Sequence, residues 1–216
     1  MENVKIKSLT KKYGEKIVLD KLDLEIPSKK ITALLGGSGV GKTTLLNILA
    51  GHITDFCGKI SNLPKKSSYV FQNDRLVPNL TVKENLLLVK KDADVDFWLE
   101  KVGLKDAGDL YPYQLSKGMA KRVNLARAFA YGAEFMLLDE PFSNLDIVLH
   151  KSLVELFYKL QKENGVTAVI VTHDLDECLT LADKTVVLTK GGIKSFENSS
   201  CTAEELKGLI TSALKE

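Results

Sequence analysis

The sequence predicts an α/β fold: a parallel core with an antiparallel β-layer before it and an α-helical subdomain inserted into it. Three observations predict this. The glycine-rich stretch Gly36-Gly37-Ser38-Gly39-Val40-Gly41-Lys42-Thr43-Thr44 lies between an apolar strand, Ile31-Thr32-Ala33-Leu34-Leu35, and a helical run, Leu45-Leu46-Asn47-Ile48-Leu49-Ala50. Two later runs, Glu134-Phe135-Met136-Leu137-Leu138 and Thr167-Ala168-Val169-Ile170-Val171, are too apolar for strands with a wet face and belong inside a parallel sheet. No strand signal interrupts residues 74–130. The expectation is one domain over residues 1–216, with residues 1–73 and 131–216 as the core and 74–130 as the helical subdomain carrying chemistry of its own.

Taken in order, Val4-Lys5-Ile6-Lys7-Ser8-Leu9 alternates as a half-exposed strand does. Residues 11–16 read as a turn, and Ile17-Val18-Leu19 and Leu22-Asp23-Leu24-Glu25-Ile26 resume the alternation. Short strands are expected at 58–60 and 67–71, then a polar, proline-containing loop over 72–80. Thr81 and Glu84 have capping-box spacing and open a helix through Leu88. A second helix is expected over 92–102, stopped by Gly103, and a third over 116–130 with Met119, Val123, Ala126 and Ala130 inward. Residues 147–163 show helical spacing at Leu149, Leu153, Leu156 and Leu160. A short helix over 175–181, strands over 185–188 and 193–196, and a helix opened by Thr202 complete the chain, the last with Leu206, Leu209, Ile210 and Leu214 on its apolar face.

The glycine-rich stretch has the pattern G-x-x-x-x-G-K-[ST] in a strand–loop–helix setting, which makes it a phosphate cradle. Gly36, Gly39 and Gly41 allow turns that point several N–H groups at one anion, and the following helix adds its positive end. Lys42 reaches terminal phosphates and the Thr43 hydroxyl can hold Mg²⁺. Asp139-Glu140 ends a buried strand on the edge such a nucleotide would face. Asp139 suits a metal or its water, and Glu140 suits orienting an attacking water; an acidic helix cap is the plainer alternative. His173 follows another buried strand, where it either bonds a γ-phosphate or pairs with Asp174 as a capping histidine.

Thirty basic and 28 acidic residues leave a net charge of only +2, so the chain has no global field for nucleic acid. The basic group Lys117, Lys121, Arg122 and Arg127 lacks interleaved aromatics and reads as a solvated helix face. Cys57, Cys178 and Cys201 form no metal or disulfide pattern. The first residues show no signal-peptide core, and no apolar run is long enough to span a bilayer.

Leu115-Ser116-Lys117-Gly118-Met119, followed by Lys121-Arg122-Val123-Asn124-Leu125-Ala126-Arg127-Ala128, resembles the LSGGQ signature and helix of ABC ATPases. The resemblance covers nearly the whole chain with the motifs in family order, and implies a P-loop NTPase fold with a RecA-like core. Under it, Tyr13 matches the aromatic residue stacking on adenine, although a turn or core tyrosine would look the same locally. The stretch from Gly36 to Thr44 matches the Walker A loop and Gln72 the Q-loop glutamine, near both metal and attacking water. Asp139 and Glu140 match the Walker B pair, Ser143-Asn144-Leu145-Asp146 the D-loop and His173 the switch histidine.

The resemblance implies ATP and Mg²⁺ as ligands and a head-to-tail dimer. Ser116, Gly118 and Asp146 of one copy would then complete the site on the other. It further implies integral-membrane permease subunits, a periplasmic or lipoprotein solute-binding protein, no nucleic acid, and a cytoplasmic place on the inner face of the cell membrane. The segments around Gln72 and His173 look like those of nitrate/sulfonate/taurine-type importers. An exporter or lipoprotein-releasing ATPase, or a soluble ABC ATPase of cluster assembly or repair, are the other readings. Lys117 stands where the signature has glycine; it points either to solvent or to nucleotide across the dimer, and altered turnover is expected.

Overall fold

The computed structural model describes residues 2–200 and 202–215. Cys201, one of the three cysteines, lies outside the described residues. A three-stranded antiparallel sheet is ordered β2-β1-β4, from β1 (Val4–Tyr13), β2 (Lys16–Ile26) and β4 (Cys57–Ser61). The turn expected over 11–16 is tighter than its polarity implies. β1 continues through Tyr13, and only Gly14 and Glu15 reverse the chain. Lys11 explains the misreading: it is 2 % exposed, because its stem is buried and its amine meets the Asp55 carboxylate at 2.6 Å. The two alternating runs after it are one strand, bent where Lys21 takes φ 43°.

The larger sheet has six strands, ordered β5-β6-β7-β3-β8-β9. They are β3 (Ile31–Gly36), β5 (Ser67–Val70), β6 (Phe135–Asp139), β7 (Thr167–Val171), β8 (Lys184–Thr189) and β9 (Gly192–Glu197). All neighbours run parallel except β9 on β8. Every residue of β3 and β7 is buried, as a sheet covered on both faces requires.

Alternation in β6 and β7 divides the interior. Phe135, Leu137, Val169 and Val171 meet helix α1 (Lys42–Leu49) and the antiparallel layer. Met136, Leu138, Ala168 and Ile170 meet the other helices. These are α2 (Val82–Val89), α3 (Val95–Lys101), α4 (Lys117–Ala130) and α5 (Ile147–Asn164). No strand lies within residues 74–130. α2 begins with the expected capping box, Thr81 with Glu84. α3 is shorter than expected, because Asp94 caps it by accepting from the Phe97 N–H. Asn85, fully buried, ties the preceding loop to α2: its Oδ1 accepts from the Val77 N–H at 2.8 Å, and its amide donates to the Val77, Leu80 and Thr81 carbonyls.

A third cluster packs α6 (Leu175–Leu181) and α7 (Ala203–Leu214) on β3 and β8. Leu206 and Ile210 are buried as expected, but Leu209 and Leu214 are 47 % and 42 % exposed, and Ala213 fills the inner position instead. Among the described residues, no helix is long and apolar enough to cross a membrane.

Candidate functional site

Because β3, β5, β6 and β7 run in one direction, the segments following them open on one edge of the sheet. β3 leads into the glycine-rich loop, and Gly41 caps α1 with φ 108°. A Cβ there would come 2.7 Å from the Leu19 side chain, so both conformation and space require glycine. α1 has no side-chain cap and no acidic residue in its first turn, which leaves its first N–H groups to an incoming anion. Lys42 folds back over the loop, donating at 2.8 Å to the carbonyls of Gly36 and Gly37. Burial holds this amine below its usual range, against the opposing pull of Glu140 and Asp139. A cleft of about 650 Å³ flanks the loop, lined by Ile17, Val18, Ser38, Gly39 and Val40 with the β8–β9 turn.

Asp139 ends β6 beside this loop. Its Oδ1 accepts from the Thr43 hydroxyl at 3.3 Å and its Oδ2 from the Tyr69 hydroxyl at 3.4 Å. Burial pushes the Asp139 carboxyl up, and burial together with Asp139 pushes the Tyr69 phenol up. The Thr43 and Asp139 oxygens are hard donors at a spacing close to adjacent corners of a magnesium octahedron, whose ~2.1 Å bonds set corners ~3 Å apart. The donor set fits Mg²⁺.

Glu140 takes φ 44°, a strained region for a non-glycine residue, with its N–H bonded to the Val171 carbonyl at 2.9 Å. The turn aims the carboxylate toward Gln72, whose amide donates to Oε2 at 3.1 Å, and toward His173, whose Nδ1 lies 3.5 Å away. Neither acidic residue caps the next helix; Asp146 caps α5. Asp174 likewise caps α6, accepting from the Asp176 and Glu177 N–H groups.

The remaining expected residues stand apart from this group. Ser116 caps α4 and accepts from the Met119 N–H. A Cβ on Gly118 would lie 2.7 Å from the outer end of the half-buried Leu149 side chain, which would have to shift to admit it. Among the described residues no hydrogen bond links Ser116, Gly118 or Asp146 to the phosphate loop. Tyr13 is 50 % exposed, with the Lys11 amine 4.6 Å from its ring centroid. Thr44 is half-buried in the first turn of α1.

Of the basic residues of α4, Lys117 is exposed as expected, whereas Lys121, Arg122 and Arg127 are buried or half-buried. Lys121 is 6 % exposed and donates to the Gln72 carbonyl at 2.6 Å. Arg122 donates to the Val102 carbonyl and the Ser152 hydroxyl, and Arg127 to the Arg75 carbonyl. The Lys117 amine donates to the Asn144 carbonyl. Tyr69 and Lys121 are the neighbours of the site that sequence reasoning missed. Their only signal is indirect: Tyr69 pairs with Leu137 in β6, and Lys121 follows Lys117 by one helical turn.

A phosphate loop, a hydroxyl–carboxylate pair and a second carboxylate held by an amide on one sheet edge define a nucleoside triphosphatase. The comparisons give its family. A family model described as ABC transporter matches residues 19–143. The chain is 39% identical over 216 residues to the aliphatic sulfonates import ATP-binding protein SsuB 3 of Paraburkholderia xenovorans, covering 98% of this chain and 87% of the relative. It is 41% identical over 183 residues to SsuB 1 of Pseudomonas savastanoi pv. phaseolicola, covering 82% and 77%. It is 38% identical to the sulfate/thiosulfate import ATP-binding protein CysA of Escherichia coli, covering 90% and 60%. A solved chain of a metal-chelate type ABC transporter in an inward-facing conformation superposes with a TM-score of 0.83 at 25% identity, covering 98% and 90%. The chain belongs to the ABC transporter family and is an ATP-binding, ATP-hydrolysing subunit of it.

Proposed function

We propose that this chain energises import of a small oxyanion-bearing solute, of the nitrate/sulfonate/taurine-like class. It would sit on the cytoplasmic face of the cell membrane against integral-membrane permease subunits. A periplasmic or lipoprotein binding protein would deliver the solute. The relatives' names, import of aliphatic sulfonates and of sulfate or thiosulfate, favour import over export or soluble repair work.

The observation that carries the ATPase assignment is the meeting of Lys42, the Thr43–Asp139 pair and the Gln72–Glu140 pair on one edge. In this reading residues 36–44 wrap the phosphates, with the Gly36, Gly37, Ser38, Gly39, Val40 and Gly41 backbone supplying N–H donors. Lys42 exchanges its two carbonyl partners for phosphate oxygens, and Thr44 stays with the α1 N-terminus. Tyr13 stacks on adenine by the ring face opposite Lys11. Thr43, Gln72 and Asp139 would hold Mg²⁺, which supplies charge neutralisation at the β- and γ-phosphates. Glu140 accepts a proton from the attacking water as it orients it in line, and His173 donates to the γ-phosphate.

Ser116, Gly118 and Asp146, unconnected to their own phosphate loop, close the site of a second copy. The test is sedimentation velocity of Glu140→Gln with magnesium and ATP. Formation of a dimer is expected. A variant that stays monomeric, both alone and with its permease subunits, overturns this reading.

A further inference from the structure

Gln72 is held at both ends. Its side-chain amide donates to Glu140, and its main-chain carbonyl accepts from the buried amine of Lys121. Lys121 also lies 3.5 Å from the Asp74 carboxylate, which accepts from the Asn124 amide at 2.8 Å. One turn earlier, Lys117 donates to the carbonyl of Asn144, a residue with φ 58° in the segment after Glu140. That segment is itself tied back, since the Ser143 N–H donates to the Glu140 carbonyl and the Ser143 hydroxyl meets Gln72. Positions 117, 121 and 124 fall on one stripe of α4. The stripe therefore bonds two separate loops, and both loops converge on the same carboxylate.

The chemistry makes this arrangement hard to explain by packing alone. Burying an ammonium group costs several kcal/mol unless its donors are satisfied, and an apolar residue would fill the Lys121 position without that cost. Lys117 occupies the first helical residue of α4, where the helix dipole repels a cation. Both amines are bonded to main-chain carbonyls, which fix backbone rather than side-chain position.

We infer that Lys117 and Lys121 are positioning residues: two amine-to-carbonyl grips through which the placement of α4 sets the geometry of Gln72 and Glu140. This deepens the ATPase reading and rests on it. A displacement of α4 pulls the Gln72 carbonyl and the Asn144 carbonyl together, so hydrolysis responds to helix position while nucleotide binding, carried by the loop after β3 that α4 does not grip, does not.

The test uses the full chain with MgATP. Lys121→Met keeps the stem and removes the donor; Lys117→Met does the same at an exposed site that tolerates it. We expect kcat to fall roughly 10-fold for Lys121→Met and about 3-fold for Lys117→Met, with KM for ATP within about 2-fold, the pattern of an interaction lost only in the transition state. Lys117→Arg, which retains a donor, restores the rate. Amide hydrogen exchange quickens over residues 72–75 in Lys121→Met, while the strand amides of β3 and β7 keep their protection.

Wild-type kcat in both Met variants overturns the inference, as does a fall in kcat matched by an equal loss of ATP affinity. Should Lys121→Met not fold, Lys117→Met and its arginine counterpart decide alone. A wild-type chain with no ATPase activity above Glu140→Gln sinks the ATPase reading instead, and the exchange measurement then still judges the grips.

Discussion

The sheet edge and the face of α4 use the same residue types to opposite ends. At the edge, Lys42 holds two carbonyls of its own loop, and Thr43 shares one carboxylate oxygen with a neighbouring strand. The lysine's bonds are local to one motif, the threonine's reaches 96 residues along the chain, and both are exchangeable for phosphate and metal. On α4, Lys117, Lys121 and Arg127 hold carbonyls of loops 27 to 52 residues away in sequence. Those bonds tie separate parts of the chain together and have no ligand waiting to replace them. A basic residue beside a nucleotide site is thus either a ligand for the nucleotide or a strut for the loops around it, and its present acceptors tell which.

The sharpest way to break this contrast is at Glu140, where both regions meet. Glu140→Gln keeps the shape and removes the proton acceptor, so steady-state phosphate release should fall on the order of 10²–10⁴-fold while ATP binding persists. A smaller loss would mean that the edge does not house the general base.

Asn85 tests the loop between the two regions. Asn85→Ala strands the Val77 N–H and three carbonyls in a buried place, and chemical denaturation should show a loss of about 1–3 kcal/mol. An unchanged midpoint would mean that water or a shifted loop replaces the side chain.

Gly118 decides whether the start of α4 is shaped by packing or by a ligand. Gly118→Ala forces the outer end of the Leu149 side chain to shift and should cost about 1 kcal/mol or less, recovered when Leu149→Ala makes room. If stability returns in the double variant and ATPase activity does not, the glycine also serves close approach to nucleotide.

The smallest effect concerns Glu177, whose Oε1 meets His150 Nε2 at 2.7 Å between α6 and α5. Burial holds this carboxyl above its ordinary 4.5, against the pull of His150. The folded chain keeps the proton to higher pH than the unfolded chain. The group's stabilising contribution is therefore complete below its unfolded value and lost as pH rises through its folded one. Relative to the parent, the thermal midpoint of Glu177→Gln should climb as pH rises above the carboxyl's ordinary 4.5. A flat difference would show that the His150 partnership offsets the burial.

Where chemistry is local, the sequence was readable. The strand–loop–helix around Lys42, the capping boxes at Thr81 and Thr202 and the continuous apolar strands β6 and β7 follow from neighbours within a few residues. The α/β architecture with its parallel sheet follows from those pieces. What escaped depended on partners far away in the chain. Lys11 reads as turn-forming because Asp55, which accepts its amine, is 44 residues on. The Lys121 amine reads as solvated because its acceptor is a main-chain carbonyl, which every residue has and no side-chain pattern reveals. Tyr69 reads as a strand tyrosine because only the pairing of β5 with β6 brings its hydroxyl to Asp139.

The alternation of β6 carries one more consequence. Asp139 continues the parity of Phe135 and Leu137, and therefore falls on the α1 side with Thr43. Inserting a single residue between Leu138 and Asp139 would leave both hydrophobic interiors intact yet set the inserted residue opposite the threonine and push the aspartate into the place Glu140 now holds. In this protein the odd–even count along one short strand decides which acid can meet a metal and which can meet water.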